Sequence, residues 1–138
     1  MSEFKVNAKV EELDNVNDFI DEKLSGLDVD LKIKTQIAIA VEEIFVNISN
    51  YSYEKSDGDV IIDVEVNEET LDLEISFIDE GIKFDPLNAE NPDTTLTADE
   101  RNIGGLGIFM VKKLVDEVSY RYQDNKNILT LKKSLKIE

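Results

Sequence analysis

Residues 37–53 read IAIAVEEIFVNISNYSY, and the reading of this stretch decides the fold. On a 3.6-residue period, Ile33, Ile37, Val41, Ile44, Ile48 and Tyr51 fall on one apolar stripe, which predicts a long helix laid against a core. Asp28 or Asp30 stands where the cap of that helix belongs, and the helix is expected to run to about Ser52. A second face follows the same spacing through Gln36, Ala40, Glu43, Asn47 and Asn50. Glu43 and Asn47 are i, i+4 neighbours, so their side chains can meet over a common site. A carboxylate beside a carboxamide suits proton acceptance, and it offers hard oxygen ligands to Mg²⁺. The same pair also suits the wet face of an ordinary amphipathic helix.

Before this helix, Phe4, Val6, Ala8 and Val10 alternate with polar residues and predict a first strand. Leu13, Val16, Phe19, Ile20 and Leu24 return at helical spacing, with Gly26 just past the last turn. After it, Lys55-Ser56-Asp57-Gly58 is a turn signal. Val60, Ile62, Val64 and Val66 then alternate with Asp59, Ile61, Asp63 and Glu65. A tight turn at 67–69 leads to Leu71, Leu73, Ile75 and Phe77 at the same period, so the two runs predict an antiparallel hairpin. Residues 82–103 have little periodicity and contain both prolines, Pro86 and Pro92; a connection of this length is often a functional lid. A helix is expected from Ile108, then strands through Val118, Tyr120 and Tyr122 and from Ile128 to Leu135, joined by a turn at 124–126. The order is that of an α+β two-layer sandwich over residues 1–138, helices on one face of a largely antiparallel sheet.

Composition narrows the chemistry. The chain of 138 residues is 41% hydrophobic and 33% charged, as in an ordinary globular domain. It has no cysteine and no histidine, which leaves out disulfides, thiolate nucleophiles, imidazole bases and Cys/His zinc sites. Any proton acceptor working near neutral pH is then a carboxylate. A net charge of −16 argues against direct nucleic-acid binding and against an anionic membrane surface. No run of about 18 apolar residues or secretory h-region is seen, and a cytoplasmic location is expected. The acidity concentrates before Leu31, while the segment after Lys112 leans basic. An anionic nucleotide would need a metal ion and backbone N–H groups to offset the overall field.

Two further stretches carry chemistry. Gly104-Gly105-Leu106-Gly107 precedes a helix, where glycines let the backbone approach a ligand and the helix N-terminus offers N–H groups to phosphate. It is neither a dinucleotide fingerprint nor a P-loop, and a plain tight turn fits it as well. Phe77-Ile78-Asp79-Glu80-Gly81-Ile82-Lys83-Phe84-Asp85-Pro86 leaves a strand with a carboxylate that can accept from an exocyclic amine such as that of adenine. An Asp-x-Gly turn is the plainer reading.

Taken in register, the three stretches resemble the GHKL (Bergerat-fold) ATP-binding superfamily. Glu43-x-x-x-Asn47 looks like its N box, Asp79-x-Gly81-x-x-Phe84-Asp85-Pro86 like its G1 box, and Gly104-Gly105-Leu106-Gly107-Ile108 like its G2 box, with residues 82–103 as the ATP lid. The wording EEIFVNISNYSY and ERNIGGLGIFMVKKLVD is similar to the anti-sigma-factor serine kinases of bacterial partner-switching systems, and the likeness runs from about Phe4 to Leu135. The resemblance implies a mostly antiparallel mixed sheet, ATP and Mg²⁺ as ligands, and a sigma factor and an anti-anti-sigma antagonist as partners, with a homodimer possible. It further implies Glu43 as general base, Asn47 as the Mg²⁺ ligand and Asp79 as the acceptor of the adenine amine. Gly81 and Phe84 would shape the base pocket, and Asn50 would line it. Gly104, Gly105, Leu106, Gly107 and Ile108 form the phosphate-side box, the backbone of 105–107 meeting the phosphates. Arg101 lies on a phosphate or at the lid surface, and Thr130 near adenine or on a surface strand. Two departures stand out. Tyr51 occupies a position where the better-known kinases often have histidine, and Arg101 is further from the glycines than their phosphate-side arginine. The implied activity is serine/threonine protein kinase, or, on those departures, a nucleotide-dependent module that sequesters its partner without phosphoryl transfer.

Overall fold

The computed structural model describes residues 2–49, 58–81, 83 and 105–136. Five strands, β1 (Ser2–Asn7), β2 (Asp59–Asn67), β3 (Asp72–Asp79), β4 (Glu117–Gln123) and β5 (Lys126–Ser134), pair in the order β1-β2-β3-β5-β4. Every described pairing is antiparallel. The helices are α1 (Leu13–Leu24), α2 (Leu31–Asn47) and α3 (Gly105–Leu114).

Alternation divides the sheet into two faces. Val60, Ile62 and Val64 on β2, Leu73, Ile75 and Phe77 on β3, and Leu129 and Leu131 on β5 are buried. They form one cluster with Val16, Ile20 and Leu24 of α1, with Ile37, Val41, Ile44 and Phe45 of α2, and with Ile108 and Val111 of α3. The helices therefore cover that face alone, and the sandwich has two layers. Phe4 of β1 stacks on Phe19 of α1, ring centroids 5.0 Å apart, which ties the first strand to the first helix.

Asp30 caps α2, its carboxylate accepting the Lys32 backbone N–H at 3.2 Å. The apolar stripe is broader than its sequence pattern. Ala40 and Phe45 are fully buried beside Ile37, Val41, Ile44 and Ile48, so Ala40, assigned by spacing to the polar face, belongs to the core. After Asn47 the backbone widens into a π-type turn at Ile48 and Ser49; the expected continuation to Ser52, and Tyr51 with it, lies outside the described residues.

Turn chemistry sets the two hairpins. The Asn67 side-chain oxygen accepts from Glu69 and Thr70 backbone N–H groups, and Leu71 takes a left-handed φ of 57° to enter β3. Leu71 is thus a turn residue, although its spacing placed it on the strand. Asp124 and Asn125, at φ 55° and 62°, make a two-residue turn whose twist matches the strands. β1 ends at Asn7, earlier than the alternation to Val10 predicts. Val10 enters a short 3₁₀ turn, 47% exposed.

Candidate functional site

Asp79 is the last residue of β3 and lies on the helix-covered face, 3% exposed. A buried carboxylate is costly unless it is hydrogen-bonded. Here Oδ1 accepts the Gly81 backbone N–H at 2.9 Å and a side-chain N–H of Asn127 at 3.0 Å. Gly81 thus closes an Asx turn at the strand exit. Asn127 sits directly across the β3–β5 ladder, 5% exposed, and its Oδ1 accepts the Tyr120 hydroxyl of β4 at 2.5 Å.

Glu43 and Asn47 occupy the last turns of α2. Both are half-buried, whereas Leu31, Thr35, Ala38 and Glu42 form the exposed face of the same helix. The carboxylate and the carboxamide therefore border the core instead of facing open water. α2 begins beside the far end of the sheet, where Asp30, Ile33 and Gln36 line a cavity with Asp116, Lys133 and Ser134. Lys133 pairs with Leu73 near the start of β3. The 17 residues of α2 advance about 25 Å, and Leu73 to Asp79 spans about 20 Å. A helix of that length is long enough to run from that end of the covered face to the other, and its core residues share one cluster with those of β3.

Gly105, Leu106 and Gly107 form the first turn of α3, which starts earlier than the expected Ile108. The first N–H groups of a helix have no intrahelical acceptor, and here two glycines carry them. Ile108 is a core residue, 3% exposed; it anchors the helix and has no polar contribution to make. α3 packs against α2, so the glycine turn belongs to the same layer as Glu43 and Asn47.

Thr130 is not brought to this site. It faces the uncovered side of the sheet, one residue out of phase with Asn127, Leu129 and Leu131, and its hydroxyl meets that of Ser76 at 3.0 Å. Asn50, Phe84, Arg101, Gly104 and the lid, apart from Lys83, lie outside the described residues. Lys83 places Nζ 5.2 Å from the centre of the Tyr122 ring, a cation–π contact between a residue just after β3 and the edge strand.

Asn127 and Tyr120 are the site neighbours that sequence reasoning missed. Starting the last strand at Ile128, after a turn at 124–126, left Asn127 off the strand, whereas β5 begins at Lys126. The signal that finds it is the Asn127-x-Leu129-x-Leu131 alternation, which continues the core face by one polar step.

The chain matches the histidine kinase-like ATPase domain family over residues 6–133. It belongs to that family. Among its relatives are proteins named serine-protein kinase RsbW from Listeria monocytogenes and Listeria innocua, 27% and 26% identical over 101 residues. These alignments take in 70% of this chain and 63% of each relative, so the chain spans under two thirds of the length of the curated relatives it matches. Two solved structures share the fold of this ATPase domain. The RsbU and RsbW domains of a Mycobacterium tuberculosis protein superpose with a TM-score of 0.67 at 16% identity, covering 100% of this chain and 34% of that one. The histidine kinase domain of an Erythrobacter litoralis blue-light activated kinase gives 0.59 at 18%, covering 91% and 60%. No described helix of the ATPase domain is long and apolar enough to cross a membrane.

Proposed function

We propose that this ATPase-family domain is an ATP-binding anti-sigma regulatory factor that acts as a serine/threonine protein kinase on an anti-anti-sigma antagonist, in the cytoplasm. The observation that carries the reading is that the sheet face holding the buried Asp79 carboxylate is roofed by the helix bearing Glu43 and Asn47. Membership of the ATPase family and relatives named serine-protein kinase support it.

In this reading the base sits over Asp79 and Gly81 with its amine donating to the carboxylate, and Phe84 and Asn50 complete the pocket. The first-turn N–H groups of α3, at Gly105, Leu106 and Gly107, meet the phosphates. Gly104 and Ile108 set that turn, and Arg101 with residues 82–103 closes over the nucleotide. Glu43 takes the proton from the attacking serine of the partner. Among the described residues no cluster of three or more acidic side chains stands ready for a metal. The donor set therefore suits Mg²⁺ arriving with the nucleotide, Asn47 adding one oxygen to those of the phosphates. Bound there, the ion would neutralise charge on the transferring group.

Incubation with γ-labelled Mg-ATP and a candidate antagonist tests the reading. Label on a partner serine is the expected result, with transfer reduced about 10²–10⁴-fold by Glu43→Ala while nucleotide affinity holds. A stable complex with no label would instead establish the second reading, a nucleotide-dependent module that sequesters its partner. That alternative draws on Tyr51 and on the distance in sequence between Arg101 and Gly105.

A further inference from the structure

We infer that Asn127 and Tyr120 are positioning residues for base recognition: the edge-strand phenol orients the Asn127 amide, and the amide sets the plane of the Asp79 carboxylate. This rests on the nucleotide reading above and extends it to two residues that touch Asp79 directly or at one remove.

The direction of the chain of donors follows from chemistry. Asp79 Oδ1 accepts from the Asn127 amide nitrogen, so that nitrogen faces Asp79 and the amide oxygen faces Tyr120. The phenol hydrogen then has one role, donation to that oxygen. The sequence Tyr120 O–H to Asn127 Oδ1, Asn127 N–H to Asp79 Oδ1, at 2.5 and 3.0 Å, runs inward across three neighbouring strands, from the sheet edge to the candidate pocket. The Gly81 N–H adds a second donor to the same Asp79 oxygen at 2.9 Å. Two donors converging on one oxygen hold the carboxylate in one orientation. Asp79 and Asn127 are both buried, where such bonds are stronger than in water and side-chain networks act as a unit. Lys83 against Tyr122 gives β4 a second hold on the segment after Gly81. Strand β4 is therefore the ruler against which the base end of the pocket is set.

Titration calorimetry at fixed Mg²⁺ with ATP and with inosine triphosphate separates positioning from mere folding. Inosine has a carbonyl where adenine has the amine, so it gains nothing from a correctly set Asp79. Wild-type protein is expected to bind ATP more tightly than inosine triphosphate. Tyr120→Phe should weaken ATP about threefold and Asn127→Ala about tenfold, with inosine triphosphate affinity unchanged in both. Equal losses for the two nucleotides, or no loss for ATP, would overturn the positioning role while leaving nucleotide binding intact. Wild-type protein that binds both equally would show that Asp79 does not read the amine, and protein that binds neither would remove the nucleotide reading and this inference together. Should Asn127→Ala not fold, Tyr120→Phe, which deletes one oxygen, carries the comparison alone.

Discussion

Thr130 and Asp79 stand on opposite faces of one sheet. Register pairs Asp79 with Asn127 and Ser76 with Thr130, and successive residues of a strand point to opposite sides. No side-chain rotation brings the Thr130 hydroxyl through the sheet to the covered face. Thr130→Val should accordingly leave ATP affinity within about twofold while removing the hydrogen bond to Ser76, a loss of about 1 kcal/mol of stability. Calorimetry and a denaturant titration read the two effects separately; a large loss of affinity would mean that the threonine reaches the nucleotide after all.

The same strand explains how much was legible in the sequence. β2 and β3 alternate so cleanly that Val60, Ile62, Val64, Leu73, Ile75 and Phe77 announce their own face, and the structure buries all six. On β5 the run Ile128-Leu129-Thr130-Leu131 has apolar residues in both phases, so period alone could not say which face was inward. Of the two places the resemblance left open for Thr130, near adenine or on a surface strand, the structure gives the second, against Ser76. α2 shows the complementary case. A stripe built on Ile33, Ile37, Val41 and Ile44 is right, yet a helix packed against both the sheet and α3 buries a wider arc, which takes in Ala40 and Phe45. Glu43 and Asn47 were found by spacing, but their half-buried position could come only from that packing.

Phe45 lies in sequence between the two candidate site residues of α2 and is 0% exposed. Its ring is among the largest fully buried side chains, so Phe45→Ala should cost about 3–5 kcal/mol. That is a large part of the stability of a domain this size. Chemical denaturation followed by circular dichroism would show it as a lower midpoint, and a change below about 1 kcal/mol would contradict the packing described for α2.

If Asn47 supplies one oxygen to Mg²⁺, its removal should act on the metal and not on the base. Asn47→Ala is expected to lower affinity for Mg-ATP by about 10–100-fold. Binding measured in excess chelator should then be nearly the same for variant and wild type. Equal losses with and without Mg²⁺ would assign Asn47 to the pocket wall.

On the uncovered face, Asp63 of β2 stands between Glu3 of β1 and Ser76 of β3. Its Oδ1 is buried and has no hydrogen-bond partner among the described residues. Burial, then Glu3, Glu65 and Glu74, push its carboxyl above the ordinary 3.8, with the N-terminal amine pulling the other way. The native state then holds this proton to higher pH than the unfolded chain does. Ionisation costs the native state more, so no stability is lost below about 3.8, and stability falls as pH rises through the native value. Asp63→Asn keeps the shape and removes the charge. At pH 7 it should raise the melting temperature by about 2–4 °C, as relief of roughly 0.5–1 kcal/mol of cross-strand repulsion would. That advantage should shrink as the pH is lowered through the raised native value towards the ordinary 3.8 and below, where wild-type Asp63 takes up its proton. Melting curves of the two proteins across this range give the answer, and an advantage independent of pH would mean that the aspartate is not the source of the strain.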